Sequence, residues 1–156
     1  MTRPAAAVAE AEVTTGADPD KVYALITDLP TLASLGDEIT TMKWRKGRSA
    51  QPGAVFKGNN RNGVRTWSTT CTVTDADPGR AFAFDVRYTV LLISHWRYDI
   101  EPVDGGGCRV TERTWDQRPE WFKGPARLAT GVKDRAAANS AHIQATLQRL
   151  KAKAES

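Results

Sequence analysis

The sequence predicts an α+β fold: a curved seven-stranded antiparallel sheet around one long C-terminal helix, with two short helices between strands 1 and 2. Three observations carry this. Six segments of strand character follow one another through the middle of the chain, joined by short turns that permit antiparallel pairing and leave no room for crossovers. A helical apolar stripe runs through the C-terminal segment. The chain has 156 residues, 40% hydrophobic and 26% charged, enough for one packed core and too few for two, so it reads as a single domain over 1–156.

Taken in order, Val8–Thr15 alternates with a period of two and suits a first strand, although Glu10 and Glu12 leave its inward face undecided. Asp18-Pro19 then opens a helix: the carboxylate can accept from orphan amides, and proline sits where a missing N–H costs nothing. Val22, Leu25, Ile26 and Leu29 follow at helical spacing, and Pro30 breaks the run before a second apolar turn through Leu32 and Leu35. The six strands are Ile39–Arg45, Ala54–Asn59, Val64–Thr74, Ala81–Arg87, Leu91–Glu101 and Arg109–Asp116. Their separators include Gln51-Pro52-Gly53, Asn62-Gly63, Asp77-Pro78-Gly79 and Asp104-Gly105-Gly106-Gly107, all turn chemistry. From Pro125 onward Leu128, Val132, Ala136, Asn139, Ile143, Leu147 and Leu150 fall at steps of three and four, predicting one continuous helix. Its outer face carries Lys133, Asp134, Gln144, Gln148 and Lys151. The helix stripe and the sheet face can only be buried against each other, and a sheet bent around a helix tends to enclose a cavity.

Composition excludes several classes. No apolar stretch approaches the ~20 residues that span a bilayer, so no membrane insertion is expected, and Met1–Glu12 is unlike a signal peptide. A cytoplasmic location is expected. Cys71 and Cys108 are too few for a disulfide framework and too far apart for a metal knuckle; they read as buried, reduced thiols. The net charge of +4 is scattered, with mild clustering at Lys43, Arg45, Lys46 and Arg48, so nucleic acid is not an expected partner. His95 and His142 have no second ligand-type residue at metal spacing and read as surface or rim residues. There is no Gly-x-Ser-x-Gly elbow and no phosphate-cradling Gly-Lys-Thr loop; no metal and no cofactor is expected.

The stretches Pro19-Asp20-Lys21-Val22-Tyr23-Ala24-Leu25-Ile26-Thr27-Asp28-Leu29, Trp67-Ser68-Thr69-Thr70-Cys71-Thr72-Val73 and Asp77-Pro78-Gly79-Arg80-Ala81-Phe82-Ala83-Phe84 carry a family likeness. So do Trp96-Arg97-Tyr98-Asp99-Ile100-Glu101-Pro102, Cys108-Arg109-Val110-Thr111-Glu112 and the terminal helix. In order and spacing, over nearly the whole chain, these resemble the START-like superfamily (SRPBCC, helix-grip), and within it the bacterial polyketide cyclase/dehydrase family. The resemblance implies the helix-grip fold and an internal site for a hydrophobic small molecule, since many members are described as binders and only a few as enzymes. One departure is Ala33-Ser34-Leu35-Gly36, where relatives often carry a tryptophan at the pocket mouth.

Candidate pocket residues follow from strand alternation. Trp67, Thr69, Cys71 and Val73 share one face, read as interior; Trp67 is either a core aromatic or a wall whose indole N–H orients a ligand. Phe84, beside Phe82 and Val86, and Trp96, beside Tyr98 and Ile100, bring further aromatics to the helix side, with Tyr98 able to show a polar tip. Glu112 shares its face with Val110 and Thr114, so a carboxylate is aimed inward. Without a partner it would be held neutral and suit a general acid or base; the ordinary outcome is an ion pair with Arg97, Arg65 or Arg87, or a wet rim. Asn139 interrupts the apolar stripe one turn before Ile143, and its amide needs Glu112, water or a ligand as partner. Ligand-binding candidates are thus Trp67, Thr69, Phe84, Trp96, Tyr98, Glu112, Asn139 and Ile143, and the catalytic candidates are Glu112 and Tyr98. Lys57, Arg61 and Arg65 flank the Asn62-Gly63 turn and either draw an anionic ligand or form a solvated tip.

A dry apolar cavity of ~300 Å³ would cost ~7 kcal/mol at ~24 cal/mol per Å³, about a whole domain's stability, so water or a ligand must fill it. The expected function is binding of a hydrophobic or amphipathic molecule, such as a lipid, isoprenoid or polyketide-like compound, by a monomer or homodimer. The alternatives are a cyclase, aromatase or dehydratase using Glu112 or Tyr98, and a protein-interaction module of the chaperone-activator type, which a solidly filled core would favour.

Overall fold

The computed structural model describes residues 7–132 and 134–156. The element order is β1 (Ala9–Thr15), α1 (Pro19–Thr27), α2 (Leu29–Leu35), β2 (Ile39–Lys46), β3 (Val55–Asn62), β4 (Arg65–Asp77), β5 (Ala81–Tyr88), β6 (Leu91–Pro102), β7 (Cys108–Asp116), α3 (Glu120–Thr130) and α4 (Arg135–Ala154). All seven strands form one antiparallel sheet in the order β1-β7-β6-β5-β4-β3-β2. This is the α+β helix-grip arrangement the pattern predicts. The register shifts at Ile39/Thr41, Trp44/Lys46, Val73/Asp75 and Val86/Arg87, and such bulges bend a sheet into a trough.

The α4 face buried in that trough is Asn139, Ile143, Thr146, Leu147, Leu150 and Ala154, against the inward residues Ala9, Val13, Phe82, Tyr98, Ile100 and Val110. Glu10 and Glu12 turn outward to Arg113 and Arg109, which settles the inward face of β1. The sheet's outer face is strapped by side chains lying across strands. Arg113 pairs with Glu10 on β1 and with Asp99 at 3.1 Å, and Arg97 binds Asp99 at 3.0 Å and Asp75 on β4 at 2.8 Å. Arg97 can reach β4 because Ala83, its register partner on β5, is small. Partly exposed pairs of this kind contribute little singly; here they cover β5, which is buried from Ala81 to Val86.

Two expectations change. Asp18 stands at the N-cap of α1 without a side-chain cap bond, whereas Asp28 caps α2 by accepting from the Thr31 amide at 3.2 Å. The predicted continuous helix from Pro125 is two helices. Gly131 takes the left-handed conformation (φ 74°) and its N–H closes α3 on Arg127 O at 2.7 Å; Asp134 then starts α4 by accepting from the Ala137 amide at 3.0 Å. A glycine stop followed three residues later by an aspartate start outweighs a continuous apolar period. In consequence Leu128 and Ala136 stand exposed, off the buried stripe, and Lys133 lies outside the described residues.

The β6–β7 turn supplies a test of the fold. Gly105, Gly106 and Gly107 all have positive φ, but a Cβ on Gly107 would collide with Thr15 O and lie 2.9 Å from Gly16 Cα, while one on Gly105 or Gly106 meets nothing. Gly107→Ala is expected to lose roughly 2–4 kcal/mol in urea unfolding, and Gly105→Ala or Gly106→Ala only about 1 kcal/mol for the left-handed backbone.

Candidate functional site

Between the sheet, α3 and α4 lies a cavity of about 360 Å³. Strand alternation places its lining. Successive inward positions supply Gly58 and Asn60 from β3, Trp67, Thr69 and Cys71 from β4, Phe84 and Val86 from β5, Trp96 and Tyr98 from β6, and Glu112 from β7. Asn139 and Ile143 come from α4, and Phe122 and Ala126 from α3. All eight residues singled out from sequence line this one cavity. Gly58 has a specific part: it faces Thr69 across the β3–β4 pair, and a Cβ there would sit 3.2 Å from Thr69 Oγ1. Its missing side chain is cavity space.

Tyr98 and Glu112 are direct cross-strand partners and form a polar spot in a largely apolar wall that also carries Asn60, Thr69 and Asn139. Glu112 is 3% exposed, and its Oε1 has no hydrogen-bond partner among the described residues. Burial pushes its carboxyl up to about 8, with the Tyr98 hydroxyl pulling back only part of that shift. At neutral pH it is therefore a carboxylic acid, able to donate. Burial and the neighbouring Glu112 hold the Tyr98 phenol well above its ordinary value. Cys71 is raised to about 12 by burial, so the thiol is not a nucleophile.

The expected ion pair of Glu112 with an arginine is absent. Arg97 lies on the opposite face of β6, engaged with Asp75 and Asp99, and Arg65 Nε donates to Leu128 O at 3.3 Å. Arg87 pairs with no carboxylate among the described residues either. His95 also departs from expectation: it is buried on the outer sheet face, its Nδ1 2.8 Å from Asp85 and its ring packed on Trp115 at 5.3 Å. Asp85 and His95 are register partners, so strand pairing itself brings them together.

The rim is ionic. Arg135 Nη1 meets Glu38 Oε1 at 2.7 Å while its guanidinium lies 6.0 Å from the Trp67 ring centroid. Arg149 binds Asp37 at 2.5 Å and Leu35 O at 2.8 Å, and Thr146 Oγ1 donates to Leu35 O at 3.2 Å. His142 stands at this rim, 3.8 Å from Glu38 and 4.0 Å from Asp37. At another wall Arg118 grips Asp116 through two nitrogens at 2.9 and 2.8 Å. Gly58 and Asn60 were recoverable from the period of β3. The rim pairs were not, because Glu38 and Arg135 are 97 residues apart. Among the described residues no group of three His, Cys, Asp or Glu side chains is placed to hold a metal, and no helix is long and apolar enough to cross a membrane.

Several solved structures share this fold. The polyketide cyclase-like protein Cgl2372 of Corynebacterium glutamicum superposes with a TM-score of 0.64 at 24% identity, over 97% of this chain and 94% of that one. DR_A0006 of Deinococcus radiodurans gives 0.65 at 18%, over 93% and 94%. The di-domain aromatase/cyclase StfQ of the steffimycin pathway gives 0.72 at 14%, over 94% of this chain and 50% of its own. A sequence comparison with curated proteins finds no match. The family model for polyketide cyclase/dehydrase and lipid transport proteins matches residues 6–155, the whole length of the sheet and both C-terminal helices. By that match the chain belongs to the polyketide cyclase/dehydrase and lipid transport family.

Proposed function

We propose that the protein holds an amphipathic small molecule, of lipid, isoprenoid or polyketide-like chemistry, with its apolar body against the cavity walls and an oxygen-bearing end at Glu112 and Tyr98. The observation that carries this reading is a buried carboxyl, one oxygen of which meets no hydrogen-bond partner among the described residues, facing a 360 Å³ cavity walled mainly by apolar groups. Left dry, such a space would cost ~9 kcal/mol at ~24 cal/mol per Å³. A neutral acid favours a carbonyl or hydroxyl over a carboxylate, because an anion buried at that depth would have no free cation among the described residues to meet it. Native mass spectrometry of freshly purified protein is expected to show a co-purified adduct, and an apolar fluorescent probe to bind and be displaced by lipids. Ala126→Trp, which fills the cavity from α3, should weaken the probe about tenfold or more. Absence of any adduct together with no probe binding by the native chain removes the reading.

The same Glu112–Tyr98 pair supports a second reading, acid/base catalysis of cyclisation or dehydration on a reactive polyketide-like substrate. A carboxyl raised to about 8 is matched to proton transfer near neutral pH. Glu112→Gln would then lower turnover ~10²-fold or more while binding persists; the binder reading predicts altered affinity alone. The interaction-module reading leaned on a filled core, and a cavity of this size takes away that support.

A further inference from the structure

The helix that roofs the cavity also carries exposed apolar side chains. Phe122 and Ala126 of α3 line the interior, while Trp121 and Leu128 on the same helix are 69% and 79% exposed. The β3–β4 and β5–β6 hairpin tips lie at the same end of the sheet and add Val64 and Val90, 90% and 91% exposed. Contacts tie these three segments together: Asn62 Nδ2 donates to Thr130 O at 2.8 Å, Arg65 to Leu128 O, and Tyr88 packs on Phe122 at 6.0 Å. The β5–β6 tip is locally unfavourable, since Thr89 holds φ 53° where a tight hairpin ordinarily places Asn or Gly. A strained β-branched turn that projects a bare valine is not what turn stability selects.

The charge around these residues is one-sided. The carboxylates Asp37, Glu38, Asp116 and Glu120 are each paired with Arg149, Arg135, Arg118 and Lys123. Asp134 is engaged at the start of α4. Arg61, Arg65, Arg87 and Arg127 have no carboxylate partner among the described residues, and the first two are held by backbone carbonyls.

We propose that this end docks on an anionic lipid surface, with Trp121, Leu128, Val64 and Val90 dipping into the interfacial region and the four arginines meeting headgroup phosphates. Separate apolar tips set in an arginine field suit a soft, laterally fluid surface. A protein partner would ordinarily be met by a packed core of contiguous side chains inside a polar rim, whereas here the apolar residues stand apart on a helix and two hairpin tips. No helix needs to cross the bilayer, and α3 would come to lie between the lipid and the cavity.

The test is co-sedimentation with vesicles of phosphatidylcholine alone and mixed with phosphatidylglycerol. The native protein is expected to pellet with the mixed vesicles at low salt and progressively less as salt is raised. Trp121→Ser with Leu128→Ser, both at exposed positions, should lower partitioning by about tenfold or more while the thermal melt is unchanged. Brominated lipid should quench native fluorescence, and Trp121→Phe should lose most of that quenching. No pelleting with anionic vesicles overturns the proposal. So does pelleting that the double variant retains in full, or a face found by sedimentation velocity to be closed in a stable dimer. None of these outcomes depends on what the cavity holds, so this proposal and the binder reading fail separately.

Discussion

Glu112→Gln is expected to abolish a steep fall in stability that the native protein shows between about pH 4.5 and pH 8, and to leave the variant several kcal/mol more stable at alkaline pH. The carboxyl titrates near its ordinary 4.5 in the unfolded chain and near 8 in the fold, because burial disfavours its charged form. Below the lower value both states hold the proton, and the group adds no slope. Between the two the unfolded chain releases the proton while the fold keeps it, so raising the pH favours unfolding. Above 8 both states are ionised and the loss is complete, on the order of 5 kcal/mol at ~1.36 kcal/mol per pH unit. Glutamine keeps the shape and cannot ionise. Any penalty from its amide is a constant offset and leaves the slope untouched. Urea unfolding of both proteins at pH 5, 7 and 9 measures the difference between two curves, which cancels every other titrating group. Parallel curves would mean that Glu112 is not neutral in the fold, and the oxygen-binding role assigned to it would go too.

How much of this was legible in the sequence depends on the range over which each signal acts. Strand alternation is local, so the inward faces of β4, β6 and β7, and hence Trp67, Tyr98 and Glu112, could be read residue by residue. The turns were equally plain, because glycine at φ 88° and 94° in Gly105 and Gly106 is a local requirement. The break at Gly131 was local as well, but an unbroken apolar period concealed it, and only the Asp134 cap shows which signal prevailed. The isolation of Glu112 was not legible. Alternation alone puts Arg97 on the face opposite Tyr98, but Arg65 shares the inward face of Trp67, and only its contact with Leu128 O, 63 residues away, shows that it is engaged elsewhere. His95 misled for the same reason: a histidine on the outer face reads as wet until Asp85 and Trp115, brought beside it by pairing, close over it.

Phe84→Ala is the second large effect, and it separates core from site. Phe84 packs edge-on against Phe56 at 5.2 Å and at a tilt against Phe82 at 5.4 Å, and it is also cavity wall. Removing its ring should cost about 3–5 kcal/mol in the ligand-free protein, the range for a phenylalanine lost from a core. Phe82→Ala should cost a similar amount, since Phe82 is fully buried, yet Phe82 does not face the cavity. The two variants should therefore agree in unfolding and disagree in binding. Phe84→Ala adds ring-sized volume to the cavity, so it should gain affinity for bulkier probes relative to slim ones, and saturating bulky ligand should recover part of its lost stability by mass action. Phe82→Ala opens its void behind the wall, where a ligand reaches it only if Phe84 swings away. Equal size preferences in the two variants, measured by probe titration across a chain-length series, would show that the wall is not where ligands are sized. A gain confined to Phe84→Ala would tie one side chain both to the stability of the empty trough and to the dimensions of what it accepts.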